Sequence, residues 1–61
     1  MTGRELVKLV ESQGWVLERV TGSHHIFKHP ERPDTVVVTV HGKKEVAKGL
    51  EKAILKQIGL R

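Results

Sequence analysis

Apolar residues recur along this 61-residue chain with two periods, one helical and one extended. Leu6, Leu9 and Val10 fall three and four positions apart, Val7 widens the stripe, and Gln13 extends it. Lys8 and Glu11 face away. That spacing predicts an amphipathic helix from about Gly3 to Gln13. Thr2-Gly3-Arg4-Glu5 reads as its capping box: the threonine oxygen accepts from the N–H near Glu5, and the Glu5 carboxylate reaches back to the N–H of Thr2. Gly14 can take the left-handed conformation that ends a helix.

An extended pattern follows. Trp15 to Thr21 alternates imperfectly, with Trp15, Leu17 and Arg19 on one face and Val16, Glu18 and Val20 on the other. Gly22-Ser23 is a natural turn. His24 to His29 forms the second expected strand, with His24, Ile26 and Lys28 on one face and His25, Phe27 and His29 on the other. A tight reversal at Gly22 makes the two strands an antiparallel hairpin. The prolines of Pro30-Glu31-Arg32-Pro33-Asp34 predict a loop. Thr35 to Val40 is β-branched throughout and reads as the third strand. Its two apolar faces would suit a central position, but plain hairpin connections favour a meander with His24–His29 in the middle.

His41-Gly42-Lys43-Lys44 leaves the sheet, and Glu45-Val46-Ala47 suggests a short helical turn. Beyond Gly49, a stripe of Leu50, Ala53, Ile54 and Ile58 predicts a second helix, widened by Leu55. Lys56 suits its C-terminal dipole, and Gly59 with Leu60 suggests a Schellman closure. The expected order is α-β-β-β-α. This is an α+β fold: a three-stranded antiparallel sheet with two helices on one face and the other face open. Residues 1–61 read as a single domain.

Size and charge narrow the picture. A domain this small has a thin stability margin. With no cysteine, neither a disulfide nor a thiolate zinc site is available. No apolar run approaches the roughly 18 residues that span a membrane, and no apolar signal segment opens the chain, so a cytoplasmic location is expected. The net charge of +4, from 11 Lys and Arg against 7 Asp and Glu, is spread along the chain. It suits a polyanion or an acidic protein, and it also suits plain solubility.

Three of the four histidines crowd into Gly22-Ser23-His24-His25-Ile26-Phe27-Lys28-His29-Pro30. His24 follows the glycine turn at the mouth of the hairpin. An imidazole can give and take protons near neutral pH, which suits RNA cleavage by the ribose 2′-OH without metal or protein nucleophile. The bland alternative is a strand-start histidine that only hydrogen-bonds. His25 should point to the opposite face, His29 belongs with the loop, and His41 leaves the third strand toward Gly22 or the second helix. A zinc site built from His25, His29 and His41 would need an unusual convergence, and no metal or other cofactor is expected. Arg4, Arg19, Lys28, Arg32, Lys43, Lys44 and Lys48 are candidate phosphate contacts. Lys43 and Lys44 precede a helix N-terminus. Each also reads as ordinary wet surface.

The chain resembles the HicA family, the toxins of HicA–HicB toxin–antitoxin modules. The resemblance spans nearly the whole chain: Gly3-Arg4-Glu5-Leu6-Val7-Lys8-Leu9-Val10-Glu11, Gly14-Trp15, Gly22 to Pro30, His41-Gly42 and Ile54 to Leu60. It implies a double-stranded-RNA-binding-like α-β-β-β-α fold and a ribonuclease that cuts messenger RNA and halts translation. The family's catalytic histidine falls on His24 and its turn glycine on Gly22. Gly22, Ser23, His25, Lys28, Arg19, His41, Lys43 and Lys44 are then the expected RNA contacts. The implied partners are single-stranded RNA and a HicB-type antitoxin that covers the site, the toxin being monomeric when free and heteromeric with its antitoxin. Two positions depart from the family pattern. Many members have proline before the His-Gly pair where this chain has Thr39-Val40, and many have Gly-Thr at the last helix where it has Gly49-Leu50. Two other classes remain beside the toxin: a non-catalytic RNA-binding module and a protein-docking module.

Overall fold

A computed structural model describes residues 1–59. The elements run α1 (Gly3–Ser12), β1 (Val16–Thr21), β2 (His24–His29), β3 (Arg32–Thr39) and α2 (Lys48–Gln57). The sheet is an antiparallel meander in the order β1-β2-β3, so β2 is central as expected. Leu6 and Val10 of α1, Ile54 of α2, Ile58 just beyond it, and Trp15 meet Phe27, Val36 and Val38 in one core. Both helices therefore cover the same sheet face. Each fully buried large apolar side chain contributes about 1.5–3 kcal/mol.

The capping box forms as read: the Glu5 N–H donates to Thr2 Oγ1 at 3.3 Å, and the Thr2 N–H donates to Glu5 Oε1 at 2.8 Å. Gly14 ends the segment after α1 with φ 90°, and Gly59 follows α2 with φ 93°. The proposed contact of Leu60 lies outside the described residues. The helix at Lys48 starts from Ala47, which offers no side-chain cap.

Three local expectations need correction. A bulge at Glu18 re-phases β1: Leu17 pairs with Phe27 and Val20 with His25 on the helix-side face, while Arg19 pairs with Ile26 on the open face. Leu17 and Arg19 thus part company. Second, β3 begins inside the proline segment, with His29 opposite Arg32 and Lys28 opposite Thr35. Pro33 and Asp34 are accommodated as an irregularity on an edge strand, where a missing N–H is tolerated. Third, Glu45 makes no helical turn. It forms a β-bridge with Thr2, and the Val46 N–H donates to the Met1 carbonyl at 2.8 Å.

Two ties hold the periphery. Arg32, read from sequence as surface, donates to the Gln57 carbonyl at 2.9 Å, and Gln57 Nε2 donates to the Thr35 carbonyl at 3.0 Å. Together they fix the end of α2 on β3. At the other corner the Met1 amine sits 3.0 Å from Glu45 and 2.9 Å from Glu51.

Gly3 is buried against the end of β3. A Cβ there would stand 2.7 Å from the Thr39 carbonyl oxygen and 2.8 Å from Val40 Cα, both backbone. Helix propensity favours alanine over glycine by less than about 1 kcal/mol, whereas overpacking against backbone costs about 1–3 kcal/mol. Gly3→Ala should therefore destabilise the protein by about 1–3 kcal/mol in denaturant titration. Gly49→Ala, where nothing lies within 4 Å, should stabilise it by about 0.4–1 kcal/mol. An equally stable Gly3→Ala protein would contradict the close approach.

Two groups near the start of the chain titrate in opposite senses. The Thr2 N–H holds the Glu5 carboxyl below its usual range. Glu51, then Glu45, hold the Met1 amine above its ordinary value of 8.0. A depressed acid stabilises the fold above its ordinary pKa, and this is lost as pH falls through the lowered value. A raised base stabilises it below its ordinary pKa, and this is lost as pH rises through the raised value. Amide-exchange protection, corrected for intrinsic rates, should fall at Leu6 on acidification and at Val46 above about pH 8. Protection flat at both positions would contradict these contacts.

Candidate functional site

Strand alternation sorts the histidines before any chemistry is considered. Phe27 is fully buried toward the helices, so His25 and His29 share its face, and His24, Ile26 and Lys28 occupy the open one. His24 is exposed. It stands in a cross-strand row between Thr21 of β1 and Thr39 of β3. Directly opposed residues in such a ladder lie about 4.5–5.5 Å apart. The next rows along this face are Arg19–Ile26–Val37 and Val16–Lys28–Thr35.

The turn that presents His24 spans two residues. Gly22 carries φ 60°, and among the described residues no non-glycine residue has positive φ. Glycine at the first central position with a normal second residue is the pattern of a type II′ reversal, which suits strand twist. The Ser23 carbonyl accepts the Val40 N–H at 2.8 Å, tying the hairpin turn to the exit of β3. His41 is the next residue, and a second turn follows in which the Lys44 N–H donates to the His41 carbonyl at 3.0 Å. Gly42 permits it with φ 54°. His41 and Lys44 line a cavity of about 230 Å³ that also touches Thr39 and the approach to α2. His41 therefore answers both expectations, lying beside the Gly22–Ser23 turn and near the second helix.

The expected contacts divide accordingly. Gly22, Ser23, His24, His41, Lys43 and Lys44 gather at one end of the sheet. Arg19 and Lys28 lie farther along the open face, and it is the Glu18 bulge that brings Arg19 there. Lys28 Nζ is 2.9 Å from Glu18 Oε2, with side chains 61% and 37% exposed. A pair this wet is worth about 0–1 kcal/mol, so an incoming phosphate can take Lys28 from it.

His25 is not part of this group. It lies half-buried between Val20 and Val38 on the helix-side face, in a groove of about 420 Å³ with Arg4, Val7, Lys8, Glu11 and Val40. Its Nδ1 is buried without a hydrogen-bond partner. His29 is engaged elsewhere: its ring meets Trp15 edge-on at 5.2 Å, and its Nδ1 accepts the Glu31 N–H at 3.0 Å. Among the described residues, no three His, Asp or Glu side chains converge as metal ligands. No helix among them is long and apolar enough to cross a membrane. Thr39 and Leu50, which flank the site, carried no signal in the sequence beyond strand and helix periodicity.

Comparison with known proteins finds similarity along almost the whole chain. Over 57 residues the chain is 37% identical to a Pseudomonas fluorescens (strain Pf0-1) protein described as "Probable mRNA interferase HicA", covering 93% of this chain and 92% of that relative. The family described as the HicA toxin of bacterial toxin–antitoxin systems matches residues 3–60, which include both helices, all three strands and the Gly22–His24 turn. By that match and by its α-β-β-β-α order, the chain belongs to the HicA toxin family.

Proposed function

We propose that this protein is a toxin ribonuclease that cuts messenger RNA, with His24 as a proton-transfer group. One observation carries the reading: His24 stands exposed at a glycine reversal, on the open sheet face, with cations and a second imidazole gathered at the same end. An RNA strand can reach such a ring, and a core histidine would be out of reach.

The chemistry needs only protons moved in place. His24 takes the proton of the ribose 2′-OH as that oxygen attacks the adjacent phosphorus. The P–O5′ bond breaks, and the 5′-oxygen is protonated as it leaves. The products are a 2′,3′-cyclic phosphate and a 5′-hydroxyl end. His41, whose backbone begins beside the turn, supports a role as the second proton-transfer group better than His25, which sits on the far side of the sheet. Arg19, Lys28, Lys43 and Lys44 would hold backbone phosphates, a role that positions the strand without reading its bases. No resident cofactor enters this scheme. A HicB-type antitoxin would silence the toxin by covering the open face at His24.

The test is His24→Ala against His25→Ala on single-stranded RNA with a chelator present. His24 is exposed, so its alanine variant should fold normally. Its cleavage should fall at least 10²-fold, the usual contribution of a positioned acid–base group. His25→Ala should keep cleavage within about tenfold of the parent. Undiminished cleavage by pure His24→Ala protein would defeat the assignment. RNA retained by the parent without new ends would indicate a binding module instead.

A further inference from the structure

We infer that the cavity between the exit of β3 and the start of α2 receives one unpaired base of the RNA, next to the phosphodiester at His24. The inference takes its ligand class from the RNA-cleaving reading and adds to it a site for base preference. Position is the first argument. Thr39 lines the cavity and is also the residue directly opposite His24, and the Ser23–Val40 hydrogen bond locks the two regions together. On this inference the base next to the phosphate at His24 enters this opening.

Size and chemistry point the same way. About 230 Å³ is below the usual range of roughly 300–1,000 Å³ for pockets that hold drug-sized molecules. It suits one flat ring system rather than an extended ligand. Val46, Ala47 and Leu50 supply apolar wall, and Leu50 stays 42% exposed although the fold has an apolar core nearby. His41 and Lys44 supply a ring and a cation at the rim. Apolar wall with polar rim matches a base, which has apolar faces and hydrogen-bonding edges, and single-stranded RNA offers such bases unstacked.

The wall is also held in advance of binding. Val46 is tied to the Met1 carbonyl, and Glu45 is bridged to Thr2 and paired with the Met1 amine. Glu45 lines the cavity as well, and the Met1 amine, which it shares with Glu51, offsets part of its charge toward the RNA backbone.

Four hexanucleotides, all-A, all-C, all-G and all-U, each with 2′-O-methyl riboses that block attack, separate this site from the chemistry. Their affinities are read by fluorescence anisotropy, with amide shifts of the ¹⁵N-labelled protein alongside. The affinities should spread by about tenfold or more, the discrimination that hydrogen bonds to the edge of one base give, and the amides of Val46, Ala47 and Leu50 should move. Leu50→Ala, at a half-exposed position, should shrink the spread to below about threefold while binding through the cations persists. Equal affinities in the parent, or an unchanged spread in Leu50→Ala, would overturn the inference. Cleavage of native RNA by His24→Ala is measured in parallel. Cleavage retained with the spread intact would remove the catalytic reading and leave the base site standing. Cleavage lost with no spread would do the reverse, and no RNA binding at all would overturn both.

Discussion

The burial of Phe27 sets the phase of the central strand, and the rest of the site depends on that phase. Phe27 is fully buried opposite Leu17 and Val36, in one cluster with Leu6, Val10 and Val38. Side chains alternate along a strand, so burying Phe27 sends His24, Ile26 and Lys28 outward and His25 inward. A slip by one residue would expose Phe27, losing about 1.5–3 kcal/mol, and would press Lys28 toward the core without a partner. The accessible imidazole is thus selected by an apolar side chain three residues away. No polar interaction of His24 itself is required to keep it exposed.

One corner of the molecule joins α1, the hairpin turn and the approach to α2 beside His24 and His41. The start of α1 lies on the end of β3 because Gly3 has no side chain. The residue before it bridges to Glu45, and the β3 exit is bonded to the Ser23 turn. α1, the hairpin and the approach to α2 are therefore joined within a few residues of His24 and His41. Coupling of this kind keeps a small site rigid in a domain with little core to spare. Lys28 with Glu18, and Met1 with Glu45, are exposed pairs that bias conformation without locking the cations away from a ligand.

The sequence made the architecture legible wherever one periodicity ran unbroken. The stripe of α1, the capping box, the Gly22 reversal and the alternation of β2 all depend on local rules, and His24 could be assigned to the open face from Phe27 alone. What stayed hidden depends on pairing between distant segments. Nothing in Leu17-Glu18-Arg19 announces a bulge; the extra residue exists only because β1 must meet both Phe27 and Ile26 in register. The prolines suggested a loop through Asp34, yet an edge strand tolerates Pro33 because no neighbour needs its N–H. Glu45 has helical propensity, but the N-terminal segment offered it a bridge instead. The approach of His41 to the Gly22 turn followed from the meander, whereas the cavity beside it required the path of residues 42–47.

The account turns on an RNA strand supplying its own nucleophile while His24 moves the proton. The most direct measurement is cleavage of an RNA carrying a single 2′-deoxyribose at the mapped cut site, with chelator present, beside the all-ribose strand. The account predicts that cutting at that position disappears while the unmodified strand ends in a 2′,3′-cyclic phosphate. Equal cutting of both strands at that position would contradict it.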